Sequence, residues 1–452
     1  MQTSGVDVTA NDADIEDSAL QALELARIAG AQDAKVGVAR TEARAVTVRD
    51  GAPAERSFHL ASEISITVFR DGKRASTSTS DRSREGLQAA ITAALHIASV
   101  ATRDEAAGLA DAEQLASDFV DLDLFHPAEV TLDEMVEFAR RAESAAYATD
   151  KAIARTNGAS VHTRSGVSVL ATSRGFMARV PWSLHAISAS AVAAGKDEQQ
   201  IAFWSDEARA YESLSSPQEI GRAAATRALG ALNSAPVRTQ TCSVLFEPMV
   251  AMSFLREFVA SASGSALYRT GSFLTDRLGT MLFPEDISVV EDPFVMRGIA
   301  SRCFDGDGIA VSRRNVIDRG ALTGYFLDLY AARRLKMKPT GSGYGAHNLE
   351  IRSERSLVTD DLKSMLSKLG RGLLVTDLVG GGVNRLNGDF SRAARGFWIE
   401  GGEIQCAVSG VTLASNLLSM FGGVRAIGGD RLTRWGMTTG SWLIDEMKIG
   451  GL

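Results

Sequence analysis

Apolar and polar positions in the first 235 residues follow two periods, and the switch between them happens twice in the same order. Over residues 13–30 acids come first, and Leu20, Leu23, Leu25 and Ile28 follow at roughly helical spacing before Gly30. That pattern predicts an amphipathic helix. From Ala34 to Ser80 the period falls towards two, in runs such as RAVTVRD and ISITVFRDGKRASTSTS, with Asp50-Gly51 and Asp71-Gly72 as hairpin signals. Ser83 to Val100 returns to helical spacing. The order then recurs. A helix is predicted over Thr131–Thr149, where Thr131 and Glu134 are spaced as a capping box. Strand-like segments follow from Ile153 to Trp204, punctuated by Asn157-Gly158, Ser165-Gly166 and Gly195, and Pro217 opens a helix running to Ala231. Two helix–antiparallel sheet–helix units in tandem predict an α+β N-terminal half. It arises either by internal duplication or as two small domains side by side, joined by an acidic, loop-like stretch at 104–127.

After Pro236 the texture changes again. Val244-Leu245-Phe246 reads as a buried strand and Pro248–Ala262 as a helix, and the remainder is dense in Gly and short apolar runs, predicting a β-rich domain with tight turns. The expected divisions are 1–115, 116–235 and 236–452.

Composition narrows the partners. The 452 residues are 45% hydrophobic and 23% charged, ordinary for a folded chain. With 48 Lys and Arg against 55 Asp and Glu, the net charge of −7 lacks the basic footprint of a chain that grips nucleic acid directly. No apolar run approaches the ~20 residues of a membrane helix. The polar, acidic start to Asp17 does not read as a signal peptide. Cys242, Cys303 and Cys406 are far apart and form no CxxC, so a reducing cytoplasm is expected, with the thiols as small core residues.

Candidate chemistry is sparse. Of the six histidines no two lie within one helical turn, so an HExxH zinc helix is absent. His126 and His347 each stand three residues before a Glu. The first reads as a surface turn, whereas His347, in the Gly-rich loop GSGYGAHN, is a candidate for binding substrate. No GxSxG elbow is present, and Gly341, Gly343 and Gly345 lack the preceding strand and the GK[ST] of a phosphate loop. Arg333, Arg334, Lys336 and Lys338 read as a solvated helix end or a contact for an anionic partner.

Four stretches of the C-terminal half resemble the TldD/PmbA family: FLREFVASASGSALYRTGSFLTDRLG from Phe254, GIASRCFDGDGIAVSRRNVIDRGALTGYFLDLYAARRL, GLLVTDLVGGGVNRLNGDFSRAARGFWIEGGEI and the closing EMKIGG. The run Asn387-Gly388-Asp389-Phe390-Ser391 followed by GFWIEGGEI is the most specific of these. The resemblance implies a heterodimeric zinc metallopeptidase of TldD and TldE (PmbA) subunits. The TldD type carries HExxxH on a helix and a distal Cys as third ligand.

Here the corresponding helix reads Arg256-Glu257-Phe258-Val259-Ala260-Ser261, and Trp435–Gly440 contains no Cys. Arg256 and Ser261 thus replace both histidines, and the resemblance is to the TldE/PmbA type, which binds no metal itself. A guanidinium donates hydrogen bonds without accepting any and repels a divalent ion. Glu257 keeps the family's catalytic Glu position, yet without metal-bound water it reads better as a partner for Arg256, for Arg269 or for another subunit. The implied partners are a zinc-bearing TldD-like subunit and unfolded or extended peptides, from antitoxin degradation or from leader processing of a modified peptide. A homodimeric peptide holder or gyrase modulator is the alternative. A self-sufficient hydrolase would draw on Glu257, His347 and Asp389, the last also a candidate for binding substrate.

Overall fold

In the computed structural model the described residues are 12–451; the opening stretch 1–11, which bears on the signal-peptide reading, and Leu452 lie outside them. The N-terminal half contains α1 (Asp12–Ile28), β1 (Asp33–Arg49), β2 (Ala52–Arg70), β3 (Lys73–Thr79), α2 (Arg84–Val100), α3 (Leu132–Tyr147), β4 (Ile153–Thr172), β5 (Met177–Ala194), β6 (Gln199–Ala208) and α4 (Pro217–Gly230). Local chemistry explains the helix starts. Ser83 caps α2, and Thr131–Glu134 and Ser216–Glu219 form capping boxes on α3 and α4. Asp50-Gly51 and Asp71-Gly72 turn the chain with φ positive at both central residues, as two-residue hairpin loops require.

The two tandem units do not form separate sheets. Strand β1 pairs with β2 on one side and β4 on the other, giving a single antiparallel sheet ordered β3-β2-β1-β4-β5-β6. At ~3.3 Å per residue the 17 residues of β1 span ~56 Å. That length carries two helix layers on one face. Val36 and Val38 pack under α1 and α2, while Val46 and Val48 pack under α3 and α4. Arg44 and Glu42, paired at 2.7 Å, lie between the two cores. Buried Glu143 of α3 accepts the amides of Asp50 and Gly51 at 2.9 and 2.8 Å, tying the first unit's hairpin to the second unit's helix.

Two turn readings are corrected. Asn157-Gly158 lies at a bulge inside β4, and Ser165-Gly166 is paired in mid-strand with Glu42 and Thr41. Gly166 is there for close approach: a Cβ would sit 2.4 Å from the Arg40 carbonyl oxygen. The chain reverses instead at Ser173–Phe176, where Gly175 takes φ +90°.

The C-terminal half contains β7 (Gln240–Phe246), α5 (Pro248–Ser261), β8 (Ile287–Asp292), β9 (Arg314–Asp318), β10 (Ala321–Leu322), α6 (Leu329–Leu335), β11 (Asn348–Ser353), α7 (Leu362–Leu369), β12 (Gly372–Asn384), β13 (Asp389–Glu400), β14 (Glu403–Asn416), α8 (Leu417–Gly422), β15 (Val424–Ile427), β16 (Leu432–Arg434), β17 (Met437–Thr439) and β18 (Trp442–Gly450). They form two six-stranded sheets, ordered β10-β9-β8-β11-β17-β16 and β14-β13-β12-β7-β18-β15. One core joins both sheets to α5. Phe254 of that helix meets Phe246, Phe390 and Trp442, and Phe258 meets Phe326 and Phe421. Helix α5 is therefore an internal element, apolar on most of its surface, and the fold is α+β with a β-rich C-terminal part.

The stretch at 104–127 is packed, because Leu109, Ala110, Ala116 and Leu122 are buried. Arg333 from the basic cluster donates to its Leu109 carbonyl at 2.7 Å, so that residue clamps the connection. Arg209 ties the halves together through carbonyls: Ser183 on its own sheet, and Gly298 and Ile299 opposite. Burial lowers its pKa to about 10. The thiols are half-buried and free: Cys242 and Cys406 pack against the core, and Cys303 donates to the Val120 carbonyl. Among the described residues no helix is long and apolar enough to cross a membrane.

Candidate functional site

Three elements converge where the sequence places the family's metal-binding positions: α5, the β16–β17 hairpin and the edge strand β6. Trp435-Gly436 forms the hairpin loop, with φ +52° and +71°. A tryptophan in the left-handed region is strained, and two contacts hold it. Its amide donates to Glu207 Oε1 of β6 at 2.7 Å, and the Arg256 guanidinium lies over its ring at 5.5 Å. Arg434 in the same hairpin bonds the Ser205 carbonyl at 3.1 Å and Asp206 at 3.0 Å. Burial pushes the Glu207 carboxyl up despite Arg434 nearby.

The fit to zinc can be judged atom by atom. Arg256 is exposed and turned onto an aromatic face, as a cation is. Ser261 is fully buried, and its hydroxyl has no hydrogen-bond partner. Glu257 is paired with Arg385, just beyond β12, at 3.1 Å. Arg385 thus replaces the Arg256 and Arg269 named as its partners from sequence. A cation and an alcohol stand where two imidazoles are needed, so these residues do not fit zinc. Among the described residues no three His, Cys, Asp or Glu side chains converge in a metal-holding arrangement.

The two candidates for binding substrate lie elsewhere and are not brought together. His347 is buried, not open in its glycine loop. Its Nδ1 meets Glu291 Oε1 at 2.8 Å, its own amide donates to the same oxygen, and Arg314 takes Oε2 at 2.7 Å. Burial acts to raise the Glu291 carboxyl, but His347 and Arg314 outweigh it and hold the group below its ordinary value. The reason is packing: β8 and β11 are adjacent strands of an interior sheet, and a carboxylate there needs cationic or donor neighbours. Only an acid inside the apolar run ISVVED hinted at this in the sequence.

Asp389 is exposed and occupied locally, accepting from Asn387 Nδ2 at 2.6 Å and Asn416 Nδ2 at 3.2 Å in the turn that enters β13. The glycine loop does surround an anion, but it belongs to the protein: Gly343 donates to Asp305 Oδ2 at 2.9 Å.

Comparison with known proteins places the chain and its fold in a family. Family models described as PmbA/TldA metallopeptidase domain 1, central domain and C-terminal domain match residues 34–98, 125–232 and 239–451. The chain is similar to Metalloprotease PmbA of Escherichia coli O157:H7, at 37% identity over 97% of this chain and 96% of that one. A Haemophilus influenzae homolog of that protein is 35% identical over 95% and 94%. A solved structure described as a candidate modulator of DNA gyrase, from Bacteroides thetaiotaomicron, superposes with TM-score 0.91 at 26% identity, covering 97% and 99%. TldE from Thermococcus kodakarensis shares the fold, with TM-score 0.83 at 19% identity over 97% and 100%. Matched in order by all three domain families, and along nearly its whole length by a PmbA relative, this chain belongs to the PmbA/TldD metallopeptidase family.

Proposed function

We propose that this chain is the metal-free, TldE/PmbA-type subunit of a two-chain peptide hydrolase, docked onto a TldD-like subunit that carries the zinc. The observation that carries this reading is the donor set on α5. Hydrolysis by the family's chemistry needs a metal that lowers the pKa of bound water, and by the sequence resemblance the first-ligand position falls on Arg256, whose guanidinium lies over Trp435. Glu257, neutralised by Arg385, has no activated water to serve. The chain's own contribution is then structural: it completes the complex and admits unfolded or extended peptides, as in antitoxin degradation or leader processing. The exposed run Phe294-Val295-Met296 is the kind of apolar surface that a partner covers. The compartment is the cytoplasm, where Cys242, Cys303 and Cys406 stay reduced.

The similarity to a solved structure described as a candidate gyrase modulator favours a second reading, a homodimeric binding protein without peptidase activity. With a net charge of −7, such a protein would contact the gyrase protein and not its DNA. Affinity purification of the tagged chain from its native cytoplasm, with mass spectrometry of what co-purifies, separates the two. A near-stoichiometric chain bearing HExxxH supports the heterodimer; recovery of this chain alone, as a dimer, supports the second reading.

A further inference from the structure

A pocket of about 180 Å³ opens between β6, the end of α4, the first turns of α5 and the β12–β13 ribbon. Its walls are of two kinds. Phe203, Trp204, Met249 and Leu378 supply apolar surface, and Arg392 and Arg395 project from β13. The Arg227 guanidinium lies over the Trp204 ring at 5.0 Å, and Arg227 is itself paired with half-buried Glu247. Arg227 thus spends its guanidinium nitrogens on Glu247 and on the Thr376 carbonyl at 2.8 Å.

Arg395 is different. It is half-buried, and among the described residues its side chain has no hydrogen-bond or ion-pair partner. Asp377 stands opposite it in register, yet the two form no ion pair within 4.0 Å. Arg392 uses Nε on the Gly380 carbonyl at 3.0 Å, leaving its terminal nitrogens available. The Arg395 stem is covered while its unpartnered nitrogens still reach solvent at the pocket, where a carboxylate can take two parallel hydrogen bonds from a guanidinium.

We infer that this pocket binds the free C-terminal carboxylate of a peptide whose last residue is apolar. Arg395 and Arg392 take the carboxylate, and Phe203, Trp204, Met249 and Leu378 enclose the side chain. The volume is below the range that holds drug-sized ligands, which matches one terminal residue better than an extended segment. Asp377, the acid on the rim, disfavours a second negative charge on the ligand. The placement is informative too: Ser253 lines the pocket and lies on the same face of α5 as Glu257, one turn on. A peptide end held here would sit beside the helix that bears the family's metal positions in related chains. This assignment rests on the peptide-handling reading above.

The test uses the isolated full-length chain, so that it does not depend on whether a zinc-bearing partner exists. N-acetyl-L-leucine and N-acetyl-L-leucinamide are titrated calorimetrically into wild type, R395Q and, as a surface control, R222Q. The expected result is binding of the acid, with the amide and the R395Q variant each weaker by about tenfold or more, and R222Q unchanged. Equal affinity for acid and amide overturns the assignment without any variant, and so does the absence of binding to wild type. Purification of a zinc-bearing partner alongside a negative titration would leave the subunit reading standing and remove only this one.

Discussion

Replacing Glu291 by Gln removes the carboxylate on which His347 and Arg314 converge. In the wild type its two oxygens meet His347 Nδ1 at 2.8 Å and Arg314 Nε at 2.7 Å, with the Glu and His side chains each 1% exposed. The variant keeps the shape and one acceptor oxygen, for which His347 and Arg314 then compete, and strips the Arg314 charge of its counter-charge, leaving it the Tyr325 carbonyl at 2.9 Å and the face of Phe326. Removing one partner of a buried ion pair costs about 3–5 kcal/mol, and the retained acceptor favours the lower figure. For a part of ~200 residues, 1 kcal/mol moves the melting temperature by roughly 2–4 °C, so a fall of about 6–12 °C is expected at pH 7. The pH dependence adds a second constraint. The Glu291 carboxyl is held below its ordinary value. Its stabilisation is therefore fully present above the unfolded value of ~4.3 and is lost as pH falls through the folded value. The gap between wild type and E291Q should narrow steadily below about pH 4. The assay is thermal melting followed by circular dichroism at several pH values. A variant that melts within about 1 °C of wild type at pH 7 would refute the structural role assigned to this cluster. A gap that persists unchanged at low pH would do the same.

The remaining expectations concern the helix layer and the metal positions. The double variant R256H/S261H should still bind zinc weakly, because Trp435–Gly440 offers no third thiolate or imidazole; tight one-to-one zinc by equilibrium dialysis would show that the site lies elsewhere. A Cβ at Gly221 would stand 1.9 Å from the Ala142 carbonyl oxygen, forcing α3 and α4 apart, so G221A should lose about 1–3 kcal/mol or more in urea unfolding. E257Q breaks an ion pair whose side chains are 27% and 52% exposed, so its unfolding free energy should change by less than about 1 kcal/mol. In a complex reconstituted with a zinc-bearing partner that variant should keep its peptidase rate, and a hundredfold fall would make Glu257 catalytic.

The sequence by itself determined what is local. Helices α2, α3 and α4 begin where Ser83, Thr131 and Ser216 can accept their first free amides, and the two Asp-Gly hairpins turn where φ must be positive. Those interactions close within a few residues, so the spacing of residue types reveals them. The donor set on α5 was legible for the same reason: an arginine at position 256 offers a metal no acceptor wherever the rest of the chain lies.

Tertiary structure decided what depends on pairing between distant segments. Ser165-Gly166 looks like a turn, yet β4 runs straight through it because the backbone of β1 passes too close for a side chain. His347 sits in a loop of glycines, and only the pairing of β8 with β11 brings Glu291, 56 residues away, against its ring and closes it from solvent. Trp435 as the seat of Arg256, Arg385 as the partner of Glu257 and Arg395 beside an apolar pocket likewise follow from how sheets stack around a buried helix. A charge in water needs no particular neighbour, whereas a charge removed from water must have one. Which neighbour it meets is set by the packing of elements far apart in the chain.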